Sequence, residues 1–221
     1  MYLSEVFDQL TYGELAQLSL GTESEPGISA ANQSKVLASI NMGLTELHKR
    51  FLLREGEVTI PVTAGIFSYS LATVDDLIKV ERVYCLEDGE YRELMLNASN
   101  ETYLLEKYYA KTPSYKVVMI SPELITTELK VVYRATVPPI EKTVGYFNPA
   151  DVVVDLPYSH LEALLYYVAS RIMNPIGMVN TFHDGNNFAA KFEQSCMVLE
   201  MQNLRIDTGS TNTRLERNGW V

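Results

Sequence analysis

Apolar positions in the first quarter of the chain recur at helical spacing. From Ser4 to Leu20, Val6, Phe7, Leu10, Leu15, Leu18 and Leu20 follow a period near 3.6, with Thr11-Tyr-Gly-Glu14 resembling a capping box partway along, so one broken helix or two short ones are predicted. Gly21, Pro26 and Gly27 mark Gly21 to Ser29 as a loop. A second helix follows. Val36, Leu37, Ile40, Leu44, Leu47 and Phe51 share one face, and Lys35, Asn41, Thr45 and Lys49 lie opposite.

The period then changes to two. Val58, Ile60 and Val62 alternate with Glu57, Thr59 and Pro61; after a Thr-Ala-Gly turn, Phe67, Tyr69 and Leu71 alternate with serines, which predicts a hairpin whose Pro61 belongs on an edge strand. Val74 to Leu77 reads as one helical turn. Lys79 to Leu86 and Glu90 to Met95 flank Glu87-Asp-Gly-Glu90, a second hairpin. Asn100 to Tyr109 reads as a short helix, and Tyr115 to Ile120 and Glu128 to Ala135 as two further strands joined by a turn around Pro122. Tyrosines crowd this region, as suits half-buried pleated surfaces.

Val137 to Val154 is a connection with three prolines, after which the helical period returns. Pro157 fits a first helical position, and Leu161, Leu164, Leu165, Val168, Ala169 and Ile172 form a stripe ending at Asn174-Pro-Ile-Gly177. A last helix is predicted from Asp184 or Gly185 to Arg205, burying Phe188, Phe192, Cys196 and Leu199, with Met197 and Leu204 at the margin of the same buried face. The expected fold class is therefore α+β. A helical bundle of Asn32 to Phe51, Pro157 to Asn174 and Asp184 to Arg205, made from both ends of the chain, would carry an inserted antiparallel β unit of six strands. The expected parts are 1–55, the first half of the bundle; 56–137, the β unit; 138–205, the second half; and 206–221, an extended C-terminal arm.

Composition narrows the function classes. At 221 residues and 47% hydrophobic, the chain is long enough to bury a sizeable core. Its net charge of −10 opposes tight, unspecific binding to a phosphate backbone, which disfavours a nucleic-acid reader. No segment reaches the roughly 20 apolar residues of a membrane span, so no membrane association is expected. The acidic start Met1-Tyr-Leu-Ser-Glu5 lacks the basic region of a signal peptide, and the chain is expected to stay in the compartment where it is made. Cys85 and Cys196 lie far apart and read as small core hydrophobes.

The common catalytic constellations are missing from the sequence. It has no Gly-rich phosphate loop, no Gly-x-Ser-x-Gly elbow, no Cys-x-x-Cys and no His-Glu-x-x-His. His48 reads as a partly exposed histidine near a helix C-terminus, Asp184 as an N-cap, and Asp151 and Asp155 as turn and N-terminal charges. His160 and Glu162, two apart on a helix, do not face each other. No catalytic residue, cofactor or metal is expected.

One layout is nevertheless specific. The helix Asn32-Gln-Ser-Lys-Val-Leu-Ala-Ser-Ile-Asn41 continues to Lys49-Arg-Phe51 and runs into the strand Glu57-Val-Thr-Ile-Pro-Val62. Later, Leu156-Pro-Tyr-Ser-His-Leu161 opens a helix ending at Arg171-Ile-Met-Asn-Pro-Ile-Gly177, and a long helix with Phe192-Glu-Gln-Ser-Cys196 follows. From Gln33 to Leu204 this resembles the head-to-tail adaptor (connector) proteins of tailed bacteriophages, including the tail tubular protein A type of short-tailed phages. The resemblance implies a non-enzymatic virion protein of the neck or tail, assembled in the host cytoplasm. It implies a homo-oligomeric, twelve-fold ring that docks on the portal protein and receives the tail tube or nozzle, with DNA passing through the lumen at ejection without sequence-specific binding. The rival readings are another tail-completion or neck protein, or a soluble ligand-binding module or enzyme accessory subunit with its pocket in the β unit.

Two partner-binding surfaces are expected. The tips Ala64, Gly65 and Glu87, Asp88, Gly89 would meet the tail side or a neighbouring subunit. The polar arm carries large anchors only at Leu215 and Trp220, with Arg214 and Arg217 available for carboxylates, and would dock on the portal or on a neighbouring subunit.

Overall fold

A computed structural model describes residues 1–16, 27–97, 107–142, 147–173 and 179–202, with side chains described from 185 onward in the last segment. Two compact units share these residues: Met1–Leu53 with Pro139–Val221, and Arg54–Pro138.

The second unit is a curled, mixed, seven-stranded sheet. Its strands are β1 (Glu55–Pro61), β2 (Ser68–Ser70), β3 (Leu77–Glu87), β4 (Glu90–Leu96), β5 (Tyr109–Ser114), β6 (Val117–Ile120) and β7 (Glu128–Ala135), in the spatial order β1-β7-β3-β4-β5-β6-β2. β7 is the central strand of one half, pairing antiparallel with both β1 and β3, and it buries Leu129, Val131, Val132, Tyr133 and Ala135. One continuous core runs from Tyr69 and Leu71 through Val80, Val83 and Cys85 to Val118, Leu129 and Val131. The fold expectation is corrected here. The described residues form a curled, mixed, seven-stranded sheet and four helices, and the β segments are not a small antiparallel insertion carried by a helical bundle. The sheet has a large core of its own, so it is an organising body in its own right.

Three particulars of the sheet also differ from expectation. β1 and β2 do not form a hairpin: β1 pairs with β7 and β2 with β6, at opposite ends of the strand order, and the loop 62–67 carries the chain from one edge to the other. β5 was not predicted, because Lys111, Thr112 and Pro113 interrupt any alternation; the pairing with β6 shifts register between Lys111 and Ser114, around that proline. β4 and β5 run parallel, pairing Met95 with Tyr109. A parallel neighbour needs a connection of about a dozen residues or more, and residues 97–108 provide that length. Of the predicted helix Asn100 to Tyr109, residues 100–106 lie outside the described residues, and its last residue Tyr109 opens β5. The expected helical turn at Val74 to Leu77 is absent: Asp75 and Asp76 form a turn and Leu77 opens β3.

In the other unit, α1 (Leu3–Tyr12) buries Leu3, Val6, Phe7 and Leu10 and is closed by Gly13; the predicted capping box at Thr11 therefore falls on a helix end. α2 (Ala30–Arg50) buries Val36, Leu37, Ile40, Leu44 and Leu47, the predicted face. Pro157 precedes a single 3-10 turn, Tyr158–His160, that leads into α3 (Leu161–Ile172). α4 (Val179–Met201) begins before the predicted start, so Asp184 and Gly185 lie inside it and Asp184 is not an N-cap. α3 packs on α2 and on α4, with Tyr167 edge-on to Phe192 at 5.2 Å between centroids. Arg50 at the end of α2 reaches Glu200 at 2.8 Å and Glu193 at 2.6 Å on α4, and these two carboxylates raise its pKa further. The Asn41 side chain holds the connection by exchanging two 2.9 Å hydrogen bonds with the Ile140 backbone.

His48 is not partly exposed. It and His160 are each 1% exposed, and Phe51 stands edge-on to His160 at 4.8 Å. Burial first, and then the neighbouring His48, hold His160 below the ordinary histidine pKa. Both cysteines are free and buried, and burial pushes the Cys196 thiol up to about 11.

Candidate interaction surfaces

The tips predicted to bind a partner lie at one end of the curled sheet. The β3–β4 turn forms because Asp88 (φ 53°) and Gly89 (φ 85°) both adopt positive φ, the pattern of a type I′ turn, which matches the twist of the flanking strands. At the same end, the Thr126 hydroxyl donates to the Leu86 carbonyl at 2.8 Å and accepts from its N–H at 3.1 Å, tying the β6–β7 loop to the end of β3. That loop also meets the β1–β2 loop: the Val62 N–H donates to the Thr127 carbonyl and the Ile120 N–H to the Phe67 carbonyl, each at 2.9 Å. The buried Tyr69 hydroxyl pins the β1–β2 loop from below by donating to the Ile66 carbonyl at 2.7 Å.

Between the two loops is a groove of about 430 Å³, lined by Ala64, Gly65, Ile66, Phe67, Pro122 and Ile125 among others, without one charged side chain. Ile66 is 48% exposed, Phe67 38% and Ile125 84%. Ala64 and Gly65 are thus wall residues of an apolar groove, while Glu87, Asp88 and Gly89 belong to the adjoining turn. The sequence reading missed Ile66 and Ile125. The available signal was apolar residues beside turn residues, at positions where a solvated turn is normally polar.

The rim is acidic. Glu87 accepts from Lys107 at 2.6 Å and from the Tyr108 hydroxyl at 2.7 Å, and these bonds hold its carboxyl below the usual range. Arg92 stacks 3.5 Å above the Tyr108 ring and also approaches Glu87. Lys107 and Arg92 are thus both engaged with Glu87, and Lys130 with Glu57. Glu123 stands between the lining residues Pro122 and Leu124, Glu128 follows the lining residue Thr127 and accepts a hydrogen bond from Tyr91, and Asp88 and Glu90 belong to the adjoining β3–β4 turn.

In the helical unit, an open groove of about 450 Å³ between α3 and α4 is lined by Glu162, Tyr166, Lys191, Gln194 and Val198. Beside it α4 exposes Met197 and Met201. The predicted arm residues Arg214, Leu215, Arg217 and Trp220 lie outside the described residues. Among the described residues, no group of three or more His, Cys, Asp or Glu side chains is placed to hold a metal ion, and no helix is long and apolar enough to cross a membrane. Asp151 sits in a 3-10 turn, where its carboxylate accepts from the Asn148 amide at 3.0 Å.

A family model described as SU10 adaptor protein matches residues 10–214, nearly the whole chain. Comparison with curated proteins gave no match.

Proposed function

The chain belongs to the SU10 adaptor protein family, which makes it a structural phage adaptor and a virion component, and we propose that it is the ring-forming piece between portal and tail. In this reading a homo-oligomeric ring, twelve-fold as in head-to-tail connectors, docks on the portal protein, receives the tail tube or nozzle and lets DNA through its lumen. The observation that carries it is the family match over residues 10–214. The layout of helix Asn32–Asn41 leading into strand Glu57–Val62 resembles the tail tubular protein A type and supports the same role. The charge is consistent: a chain of net −10 repels a phosphate backbone, which favours sliding over gripping.

The partner surfaces in this reading are the loop end of the sheet, with Ala64, Gly65, Glu87, Asp88 and Gly89, and the arm 206–221. An uncharged groove with exposed Ile66 and Ile125 is the kind of surface that proteins bury in assembly. Truncation after Ile206 is expected to leave the melting temperature of the isolated protein nearly unchanged while abolishing incorporation into portal-bound particles. A truncated chain that incorporates as well as the full chain would remove the arm from the assembly surface. Independently, virions lacking Asp88 and Gly89 should be defective in nozzle attachment, and normal infectivity would deny the tip that role.

A further inference from the structure

The groove and the arm have matching chemistry. The groove is apolar, about 430 Å³, and its described lining carries no charged side chain; the loop that forms one wall contributes Glu123 and Glu128 next to lining residues, the adjoining turn contributes Asp88 and Glu90, and the basic groups of the same strands, Lys107, Arg92 and Lys130, already face Glu87 and Glu57. The C-terminal segment Thr213-Arg-Leu-Glu-Arg-Asn-Gly-Trp-Val221 places two arginines around Leu215 and follows them with Trp220, the chain's only tryptophan. Aromatic and arginine anchors of this kind dominate binding energy when they fill a pocket inside a complementary rim. Residues 203–221 follow the last described turn of α4 and span up to about 60 Å when extended, enough to pass from one protein molecule to the next.

We propose that the groove at the loop end of the sheet receives the C-terminal segment 213–221 of a second copy of this chain, with Leu215 and Trp220 in the groove and Arg214 and Arg217 on its acidic rim. The proposal rests on the ring reading and gives it a joint. A contact of arm to groove is head-to-tail, the type of interface that generates rings when its rotation closes.

Full-length chains test this by complementation. Trp220 fluorescence, excited at the red edge so that the tyrosines stay silent, should shift to the blue as the protein self-associates with rising concentration. Ile125→Glu spoils the groove and Trp220→Ala spoils the arm, and each should weaken self-association at least about tenfold. Ile125 is 84% exposed, so its replacement leaves the core untouched; Ile66→Glu serves as a second groove variant, and both must keep the wild-type melting temperature. The decisive sample is an equal mixture of Ile125→Glu and Trp220→Ala. The intact arm of the first can enter the intact groove of the second, while the reverse pairing is doubly spoiled. The mixture should therefore regain the blue shift and stop at a two-copy species in sedimentation. A mixture whose spectrum and mass are the average of the two variants overturns the proposal, as does an Ile125→Glu tryptophan as shielded as the wild type's, which would place the arm on its own chain or on another surface. If the mixture fails while wild-type rings still form on portal, only the arm-to-groove joint falls; if no rings form, the adaptor-ring reading falls with it.

Discussion

Replacing Gly56 by Ala should destabilise the β unit through one side chain. Gly56 lies on the edge strand β1 directly opposite Tyr133 of β7, and the Tyr133 ring covers it. A Cβ at Gly56 would lie 2.5 Å from the Tyr133 hydroxyl oxygen and 2.7 Å from Cε2, so the ring must move. That ring is buried at 7% exposure, and its hydroxyl donates to Asp76 at 3.0 Å. Overpacking costs about 1–3 kcal/mol. Losing the hydrogen bond adds about 0.5–1.5 kcal/mol, and relief of the glycine's conformational freedom returns about 0.5–1 kcal/mol. The net expectation is a loss of about 2 kcal/mol, or about 4–8 °C in melting temperature for a chain of this size. Urea and thermal unfolding followed by circular dichroism measure it, with Tyr133→Leu as the second arm of a double-mutant cycle. In the Tyr133→Leu background the same glycine replacement should be neutral or stabilising. An unchanged or higher melting temperature for Gly56→Ala alone, or an equal loss in both backgrounds, would refute the account of the ring packed on the glycine.

Leu165→Ala and Phe192→Ala remove buried side chains from the helical unit and should each cost about 2–5 kcal/mol in denaturant unfolding. His160 has a folded pKa below its unfolded value of about 6.5, so the unfolded chain binds the extra proton. Stability from the neutral imidazole is full above that pH and is lost as pH falls from there towards the folded pKa. Urea midpoints at pH 7.5 and 5.5 should therefore fall further for the wild type than for His160→Gln, and equal falls would show that His160 titrates alike in both states. Arg50→Met leaves Glu193 and Glu200 without their guanidinium partner; thermal unfolding should show a loss of about 1 kcal/mol, modest because the pair is partly solvated.

What was legible in the sequence was local. The apolar face of α2 could be read from Val36 to Leu47 because one face of one helix records its burial in its own period. The β3–β4 hairpin was legible because Asp88-Gly89 satisfies the positive φ values that its turn demands. The strand order was not legible. Nothing in Thr63-Ala-Gly65 distinguishes a turn that pairs its flanking strands from one that sends β1 and β2 to opposite edges, since partner choice is settled by residues far off, such as Leu129 and Val118. The same non-locality hid the parallel β4–β5 pair, and Pro113 hid β5 itself. At the candidate surface, Ala64, Gly65 and Asp88 were found as turn residues, but the groove needs Ile66 and Ile125 from separate loops, and only pairing of β6 and β7 with their neighbours brings those loops together. The burial of His48 has no local signal: its place in the last turn of α2 suggests a solvated helix end, whereas the residue is buried beside His160.

The central claim is that this SU10-family chain builds an oligomeric ring on the portal. Electron microscopy of the purified full-length protein, alone and mixed with its phage's portal, tests it most directly, with particle mass measured on the same samples. The account predicts ring-shaped density added coaxially beneath the portal, of twelve-fold symmetry, with a continuous central channel. A protein that stays monomeric and leaves portal particles unchanged in mass and shape would contradict it.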